Sequence, residues 1–316
     1  MKSSIESVGN RVANGDIFRL CYNPHLLKQT NSKGNPLVFL RSSSLLTAVL
    51  AVLMSASIVS AQTATVPADT SKDKKAAEKP VPTPDLKAPA KLVTPEQIVE
   101  SSLYIYGFGG GRVTLDRIRK TTFEKGKTTL IGADGKSESV AYQRWVIRAE
   151  SMDKEKVRLD QEFTNSRYGL VLNQEKVVGV FNNTSFNPRE EAVKGFENSI
   201  YHGIEALFRF KENESKLESA GREKQMGVEY YLIDVTDKKG RKTRFYISVK
   251  TLRVMMLTYE EGGIKYKRRF YDQKYAQGTL VPYRSVLTAD DRIIEEQEIS
   301  SVTFGQKVDE DLFKVN

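Results

Sequence analysis

The chain has 316 residues, of which 39% are hydrophobic and 28% charged, so it is long enough to bury a sizeable core. Its one cysteine excludes a disulfide framework and a cysteine-based metal centre. The formal net charge of +9 is spread along the sequence, so nucleic acid is not the expected partner, and anionic lipid or cell-wall polymer would suit the charge equally well.

The most apolar segment, LLTAVLAVLMSASIVSAQ, runs from Leu45 to Gln62. Its dense apolar part ends at Met54, which is too short for a membrane-spanning helix of about 20 residues. Arg41 before it and the small residues Val59-Ser60-Ala61 at its end are typical of a cleaved secretory signal. We therefore predict export to the periplasm, with cleavage after Ala61.

Residues 1–36 precede the signal and include Cys21. They show no apolar period, and signals normally begin close to the initiator. We therefore interpret 1–36 as an extension with a mis-assigned start, place the signal at 37–61, and place the true start near Leu37 or Val38. Residues 1–61 hold six basic and two acidic residues, so their removal lowers the net charge to +5 and removes the only thiol.

Residues 62–93 are rich in proline and lysine and contain no aromatic residue. Such a segment cannot bury enough apolar surface to offset the entropy lost on ordering. We predict a disordered tether over 62–93 that can be deleted without loss of the fold, and a folded domain over 94–316.

The domain opens with a helix signature. Thr94 is a suitable N-cap, Pro95 suits the first helical position, and Gln97 completes a capping box. The helix should end at YGFGGG. These glycines follow a helix rather than join a strand to one, and no Gly-Lys-Ser/Thr comes after them, so a helix-ending loop is favoured over a phosphate cradle.

A second amphipathic helix is predicted inside FNPREEAVKGFENSIYHGIEALFRF. Asn187 would be its N-cap, Pro188 its first residue and Glu190 the closing member of a capping box. Its apolar face would consist of Val193, Phe196, Ile200, Ile204 and Leu207.

The rest of the domain alternates with a period of two and is punctuated by short turns, which predicts antiparallel hairpins. The expected strands lie in VAYQRWVIRAES, KVRLDQEF, YGLVLN, KVVGVFN, GVEYYLIDVTD, RFYISV, LRVMMLTYE, IKYKRRFYD, LVPYRSVLTADD and RIIEEQEISSVTF. A final VDEDLF is expected to be a short edge piece held by Leu312 and Phe313. The predicted fold class is α+β, with an antiparallel sheet and few helices.

The stretch from GREKQMGVEYYLIDVTD to IKYKRRFYD resembles the C-terminal half of the outer-membrane lipoprotein-sorting superfamily, which includes LolA, LolB and RseB-like proteins. The residues that carry the likeness are Gly227, Tyr230, Tyr231, Gly240, Phe245, Tyr246 and Thr251. Ser248 departs from the pattern, because the family usually has Asp there. The N-terminal helix with its glycine-rich end and the closing VDEDLF fit the same pattern.

The resemblance implies a strongly curved antiparallel sheet, a half-barrel, with helices covering its concave face. It also implies a non-enzymatic carrier that binds a lipid or a lipoprotein acyl chain in an apolar cavity, as a monomer, without a cofactor or metal. The alternative is an RseB-like envelope sensor or interaction module that binds a membrane-protein or lipoprotein partner.

The predicted cavity residues are apolar strand and helix positions that outnumber what one covering helix can bury. Taken singly, each strand position is better explained by an ordinary core. The set consists of Trp145, Ile147, Leu159, Phe163, Phe196, Ile200, Tyr231, Ile233, Phe245, Ile247, Met255 and Leu257. In the strand around Trp145, the face with Arg144 carries the charge and is assigned outward, so Trp145 is predicted to report ligand binding by fluorescence.

Three other groups of residues have side chains that could serve catalysis or binding. His202 has no partner histidine or cysteine in 62–316, which argues against zinc and against a Ser/His triad. The acid pairs Asp290-Asp291, Glu295-Glu296 and Asp309/Asp311 are expected to be solvated or to point to opposite faces, so no catalytic residue is predicted. In KYKRRFY, alternation places Lys265, Lys267 and Arg269 on one face and Tyr266, Arg268 and Phe270 on the other. This pattern suits a solvated outer face with apolar packing behind it, or a strip that contacts anionic lipid head groups.

Overall fold

The computed structural model describes residues 93–174, 176–182 and 184–314. The predicted extension 1–36, the signal 37–61 with its cleavage point, and the predicted tether up to residue 92 lie outside the described residues.

The described residues form one antiparallel sheet of 13 strands with the order β6-β5-β4-β3-β2-β1-β13-β12-β11-β10-β9-β8-β7. The N-terminal strands are β1 (Thr121–Ile131), β2 (Ser137–Ile147), β3 (Lys156–Phe163), β4 (Ser166–Asn173), β5 (Lys176–Phe181) and β6 (Thr184–Phe186). The C-terminal strands are β7 (Lys216–Gln225), β8 (Val228–Thr236), β9 (Lys242–Ser248), β10 (Val254–Glu261), β11 (Ile264–Ala276), β12 (Thr279–Ala289) and β13 (Arg292–Phe304).

Each half of the sheet is a meander in which consecutive strands pair. The two meanders join where β1 pairs with β13, the first strand with the last, over a register that runs from Thr122 opposite Phe304 to Leu130 opposite Glu295. A bulge between Lys125 and Gly126 interrupts this pairing. The pairing of β1 with β13 in the middle of the sheet therefore joins the two meanders into one continuous sheet.

Among residues 93–314, four α-helices accompany the sheet: α1 (Pro95–Tyr106), α2 (Gly111–Ile118), α3 (Glu190–Tyr201) and α4 (Ile204–Phe208). Two short 3₁₀ helices, Met152–Lys154 and Glu310–Phe313, complete the elements. No helix among residues 93–314 has the length and apolar character needed to cross a bilayer.

The helices and the sheet share one apolar core. Leu103 and Tyr106 of α1 and Phe196 of α3 belong to the same buried cluster as Ile233 of β8 and Leu257 of β10. The helices thus bury their apolar faces against the sheet, as their sequence periodicity requires.

The predicted start of α1 is confirmed. The Thr94 amide donates to Gln97 Oε1 at 3.0 Å, and the Gln97 amide donates to Thr94 Oγ1 at 3.3 Å. The glycine-rich segment ends this helix as expected, and α2 follows it directly.

Three local predictions are wrong. The second helix begins at Glu190, and its N-cap is Arg189, whose side chain makes no capping hydrogen bond. The predicted cap Asn187 and first residue Pro188 therefore lie before the helix. VDEDLF is not an edge piece of the sheet, because Glu310–Phe313 form a 3₁₀ helix, capped by Asp309, that contacts β3 and β4, although Phe313 is buried as expected. Strands β1, β6 and β7 were not predicted, because β1 and β7 are mostly polar and β6 has only three residues.

Candidate functional site

A cavity of about 220 Å³ lies between α3 and the sheet. Strands β1–β4 and β11–β13 form its floor, and α3 with the start of α4 forms its roof. The strands on its two sides, β4 and β11, are six places apart in the sheet order. We take this cavity as the candidate functional site.

One side of this cavity is apolar, and we call it the apolar wall. Helix α3 presents Phe196 and Ile200, which are 2% and 3% exposed, because they lie one turn apart on its inner face. Strands β3 and β4 present leucines that are directly paired in register. The apolar wall consists of Leu159, Leu170, Ala192, Phe196, Ile200 and Ile204.

A polar band crosses five neighbouring strands of the floor, β2, β1, β13, β12 and β11, which also contribute apolar residues such as Phe270, Val281 and Ile299 to the lining. The polar band consists of Tyr142, Arg144, Glu124, Gln297, Glu295, Ser285 and Arg268. A lining with this many charged groups is unusual for a lipid cavity, since such sites are mainly apolar with few polar groups. The cavity is therefore amphipathic.

Within the polar band, Glu124, Tyr142 and Gln297 form a hydrogen-bonded triangle. The Tyr142 hydroxyl donates to Glu124 Oε1 at 2.7 Å, and Gln297 Nε2 donates to Glu124 Oε1 at 3.2 Å and to the Tyr142 hydroxyl at 2.8 Å. Burial and the Glu124 charge raise the pKa of Tyr142, so the phenol keeps its proton and remains a donor.

Gly126 makes this triangle possible. A Cβ atom at this position would lie 2.7 Å from the Tyr142 ring and 2.2 Å from the backbone oxygen of Glu298. The Tyr142 ring therefore lies over the Gly126 backbone, next to the bulge in β1. A side chain here would push the ring away from Glu124.

Two arginines of the polar band differ in their partners. Arg268 donates to Glu295 Oε1 at 3.0 Å and to Ser285 Oγ at 3.1 Å, so its charge is balanced. Arg144 lies half-buried in the lining and forms no ion pair or side-chain hydrogen bond with any residue of the described domain. Arg144 is thus the cation of the polar band that is available to a ligand.

The rim of the cavity is held by ion pairs at α4 and just after it, whose arginines are largely buried. Glu205 binds both Arg119, at the end of α2, and Arg148, at the end of β2. Burial acts to raise the pKa of Glu205, but Arg148 and Arg119 outweigh it and hold that pKa below its usual value. Just beyond α4, Arg209 pairs with Glu155 in the connection between β2 and β3. Helix α4 is therefore clamped to the N-terminal meander.

The fold is similar to that of solved lipoprotein-sorting domains. A domain from Vibrio parahaemolyticus, described as an outer membrane lipoprotein-sorting protein, matches with a TM-score of 0.50 and 12% identity, over 70% of this chain and 97% of that one. The described domain has the LolA-like fold. The predicted resemblance is thereby confirmed at the level of the fold.

Two further solved structures are similar to the LolA-like domain, with lower TM-scores. A LolA superfamily protein from Nitrosomonas europaea gives a TM-score of 0.49 at 12% identity, over 68% of this chain and 97% of that one. A DUF1329 family protein from Desulfovibrio piger gives 0.43 at 12% identity, over 68% and 97% of the two chains. No protein-family model and no curated protein sequence matches the chain.

Three of the twelve predicted cavity residues line the cavity of the LolA-like domain: Leu159, Phe196 and Ile200. Phe163, on the same face of β3 as Leu159, packs against the main core without lining the cavity. For these positions the alternation of β3 and the periodicity of α3 identified the correct face.

Trp145 and Ile147 lie on the other face of β2, and their predicted orientation is wrong. Tyr142, Arg144 and Val146 line the cavity instead. Trp145 stacks on Phe123 of β1, with ring centroids 5.2 Å apart. The strand-centre charge was assumed to face solvent, whereas here it faces a polar cavity.

Five of the six predicted residues of β8, β9 and β10 pack in the main core. Ile233, Phe245, Ile247 and Leu257 are each 0% exposed in the main cluster, and Tyr231 packs against it. Met255 lies at the bulge in β10 and is outside that cluster. None of these six residues lines the cavity, and for the five other than Met255 the ordinary-core interpretation describes what the structure shows.

The acid pairs have structural partners. Asp290 accepts from the Lys265 amide at 3.0 Å, and Asp291 pairs with Lys267. Glu295 faces the polar band while Glu296 pairs with Arg284, so the two point to opposite faces as expected. Among residues 93–314, no cluster of three or more metal-ligating side chains occurs. In KYKRRFY the predicted faces are confirmed, because Tyr266 and Phe270 pack in the core and Arg268 lines the cavity.

His202 is the C-cap residue of α3 and is buried, with 3% exposure. Its ring stacks on Tyr259 at a centroid distance of 4.1 Å, and Nδ1 lies 2.7 Å from Thr243 Oγ1. Burial, assisted by Arg241, lowers the pKa of His202 to about 4. The histidine is thus a neutral core residue at pH 7.

We predict a pH-dependent stability that depends on His202. An unfolded histidine has a pKa of about 6.5, so between pH 6.5 and 4 the unfolded chain binds the proton more readily, and stability falls as the pH falls. From pH 7 to 4.5 the wild type should lose about 2–3 kcal/mol more unfolding free energy than His202→Gln. Urea unfolding of both proteins measures this difference, and equal losses would contradict it.

Proposed function

We propose that the LolA-like domain is a non-enzymatic periplasmic carrier that binds a lipid or a lipoprotein acyl chain in the cavity beneath α3. The observation that carries the proposal is the apolar wall, where Leu159 and Leu170 of the sheet face Phe196 and Ile200 of the helix across an open space. Apolar side chains around a space of this size favour an apolar occupant, because burying its surface gains about 25 cal/mol per Å².

The proposal includes a half-barrel whose concave face is covered by the helices. In a flat sheet, β4 and β11 would lie about 29 Å apart, since neighbouring strands are about 4.8 Å apart. Both strands nonetheless line the one cavity, with Leu170 from β4 and Phe270 from β11. A sheet curved around α3 accounts for this arrangement.

The test is to extract the purified protein with organic solvent and to identify retained lipid by mass spectrometry. Two matched variants sharpen it. Ala192→Phe should fill the cavity and abolish lipid retention, because Ala192 lines the roof and is 8% exposed. Ala141→Phe adds the same ring at an exposed position of β2 outside the lining and should retain lipid as the wild type does.

The alternative predicted from the sequence, a sensor or interaction module, gives different results in the same preparation. It predicts an empty cavity and a membrane protein that co-purifies equally with the wild type, Ala192→Phe and Ala141→Phe. Loss of lipid in Ala192→Phe alone would exclude this alternative as the main role of the cavity.

We predict that a tryptophan moved into the cavity will report binding and that the natural one will not. Trp145 is the only tryptophan and stacks on Phe123 outside the cavity lining. In the variant Trp145→Phe/Phe196→Trp, emission should shift to the blue when hexadecanoate is added to delipidated protein, because the chain displaces water from the new indole. Wild-type protein should show little change, and a shift of equal size in the wild type would contradict the face assignment.

A further inference from the structure

The polar band is a specific feature of this cavity that a bare acyl chain would leave unused. A ligand with only methylene groups would cover charged groups without offering them partners, and burying polar groups without partners is unfavourable. The occupant that fits both the apolar wall and the polar band is an amphiphile that brings its head group into the cavity.

The charges of the lining show which head group fits. Glu205 is bound to Arg119 and Arg148, Glu155 to Arg209, and Glu295 to Arg268. Together with Asp116, which also binds Arg148, these four acids and four arginines balance one another within the protein. They leave Glu124 and Arg144 to be considered.

Glu124 and Arg144 are direct partners in the register of β1 and β2, but they do not form an ion pair in the described structure. The Glu124 carboxylate accepts instead from Tyr142 and Gln297. Tyr142 keeps its proton because of its raised pKa, so this triangle occupies the carboxylate with neutral donors. Arg144 keeps an unbound guanidinium in the lining.

We propose that Arg144 binds the anionic head group of an amphiphilic ligand, a carboxylate or a phosphate, whose chain lies along the apolar wall. A guanidinium offers paired N–H donors that match both oxyanions. Leu159 is the direct register partner of Arg144, and Leu170 is that of Leu159, so a chain starting at Arg144 crosses β3 and β4 beneath Phe196. This inference rests on the proposed carrier function and specifies its ligand class.

The experiment compares three probes of equal chain length on the full-length protein: hexadecanoate, hexadecyl phosphate and hexadecanol. Calorimetry on delipidated wild type should give tighter binding of at least one anion than of hexadecanol. Arg144→Gln should weaken that anion about 10- to 100-fold, as expected for a charge-assisted hydrogen bond, and should change hexadecanol binding by less than about two-fold. The anion that is favoured distinguishes a carboxylate ligand from a phosphate ligand.

Arg269→Gln is the matched control, because Arg269 is exposed on the outer face of β11 and is not part of the cavity lining. It should leave all three affinities unchanged, which excludes an effect of net charge alone. Equal wild-type affinity for hexadecanol and both anions, or an equal loss of all three in Arg144→Gln, would overturn the head-group proposal while the carrier function stands. Failure of the wild type to bind any probe or to retain any lipid would overturn both.

Discussion

Arg209→Met is expected to lower the free energy of unfolding by about 3–5 kcal/mol, the range for a buried ion pair that loses one partner. The side chains of Arg209 and Glu155 are 4% and 5% exposed, so the variant leaves a carboxylate buried without its cation. Arg209 also donates to the backbone oxygen of Ala149 at 2.6 Å, and this acceptor loses its donor as well. Equilibrium urea unfolding at pH 7 measures the effect.

The double variant Arg209→Met/Glu155→Leu is the control for this prediction. Replacing both charges with apolar groups of similar size removes the desolvation penalty, so the double variant should recover most of the lost stability. A double variant no more stable than Arg209→Met would show that the unpaired carboxylate is not the source of the loss, which would then come from the bond to Ala149 that both variants lack.

Glu205→Gln is the second variant with a large expected effect. Arg119 and Arg148 have side chains that are only 9% and 10% exposed, and both rely on the Glu205 carboxylate. A neutral amide leaves two nearly buried cations close together, although Arg148 keeps Asp116 at 3.3 Å. We expect a loss of about 3 kcal/mol in unfolding free energy.

Glu205→Gln should also loosen α4 locally, which hydrogen exchange of the backbone amides of Ile204–Phe208 can measure. Glu191→Gln removes the same charge from an exposed position of α3 and should change neither stability nor exchange. Unchanged exchange in α4 of Glu205→Gln would contradict the view that the two arginines hold this helix in place.

Much of the fold could be predicted from the sequence, because alternation and capping are local signals. The Thr94 capping box located α1, and most strands showed the expected period of two. Asn187 was misread because an N-cap signature identifies a candidate, whereas packing decides which turn is helical. Strand β1 was missed because TTFEKGKTTLI is mostly polar, and its place between β2 and β13 is a tertiary property.

The cavity was harder to predict, for a physical reason. The rule that a charged strand face points to solvent holds when the other face meets an apolar core, but it fails when the sheet encloses a polar space. Because Arg144 was expected to face solvent, the two faces of β2 were assigned the wrong way round, and Trp145 was predicted to face the cavity. The triangle of Glu124, Tyr142 and Gln297 joins three strands whose register the sequence does not specify.

The pairing of β1 with β13 also affects how the protein is made. During synthesis β1 leaves the ribosome early, but its partner β13 is the last strand to appear. Until then one edge of β1 has no neighbour, and an open strand edge can pair with another chain. The polar composition of β1, with Glu124, Lys125 and Lys127 near its middle, makes such mispairing less favourable. The charges that made this strand hard to predict from the sequence thus suit a segment whose partner strand is synthesised much later.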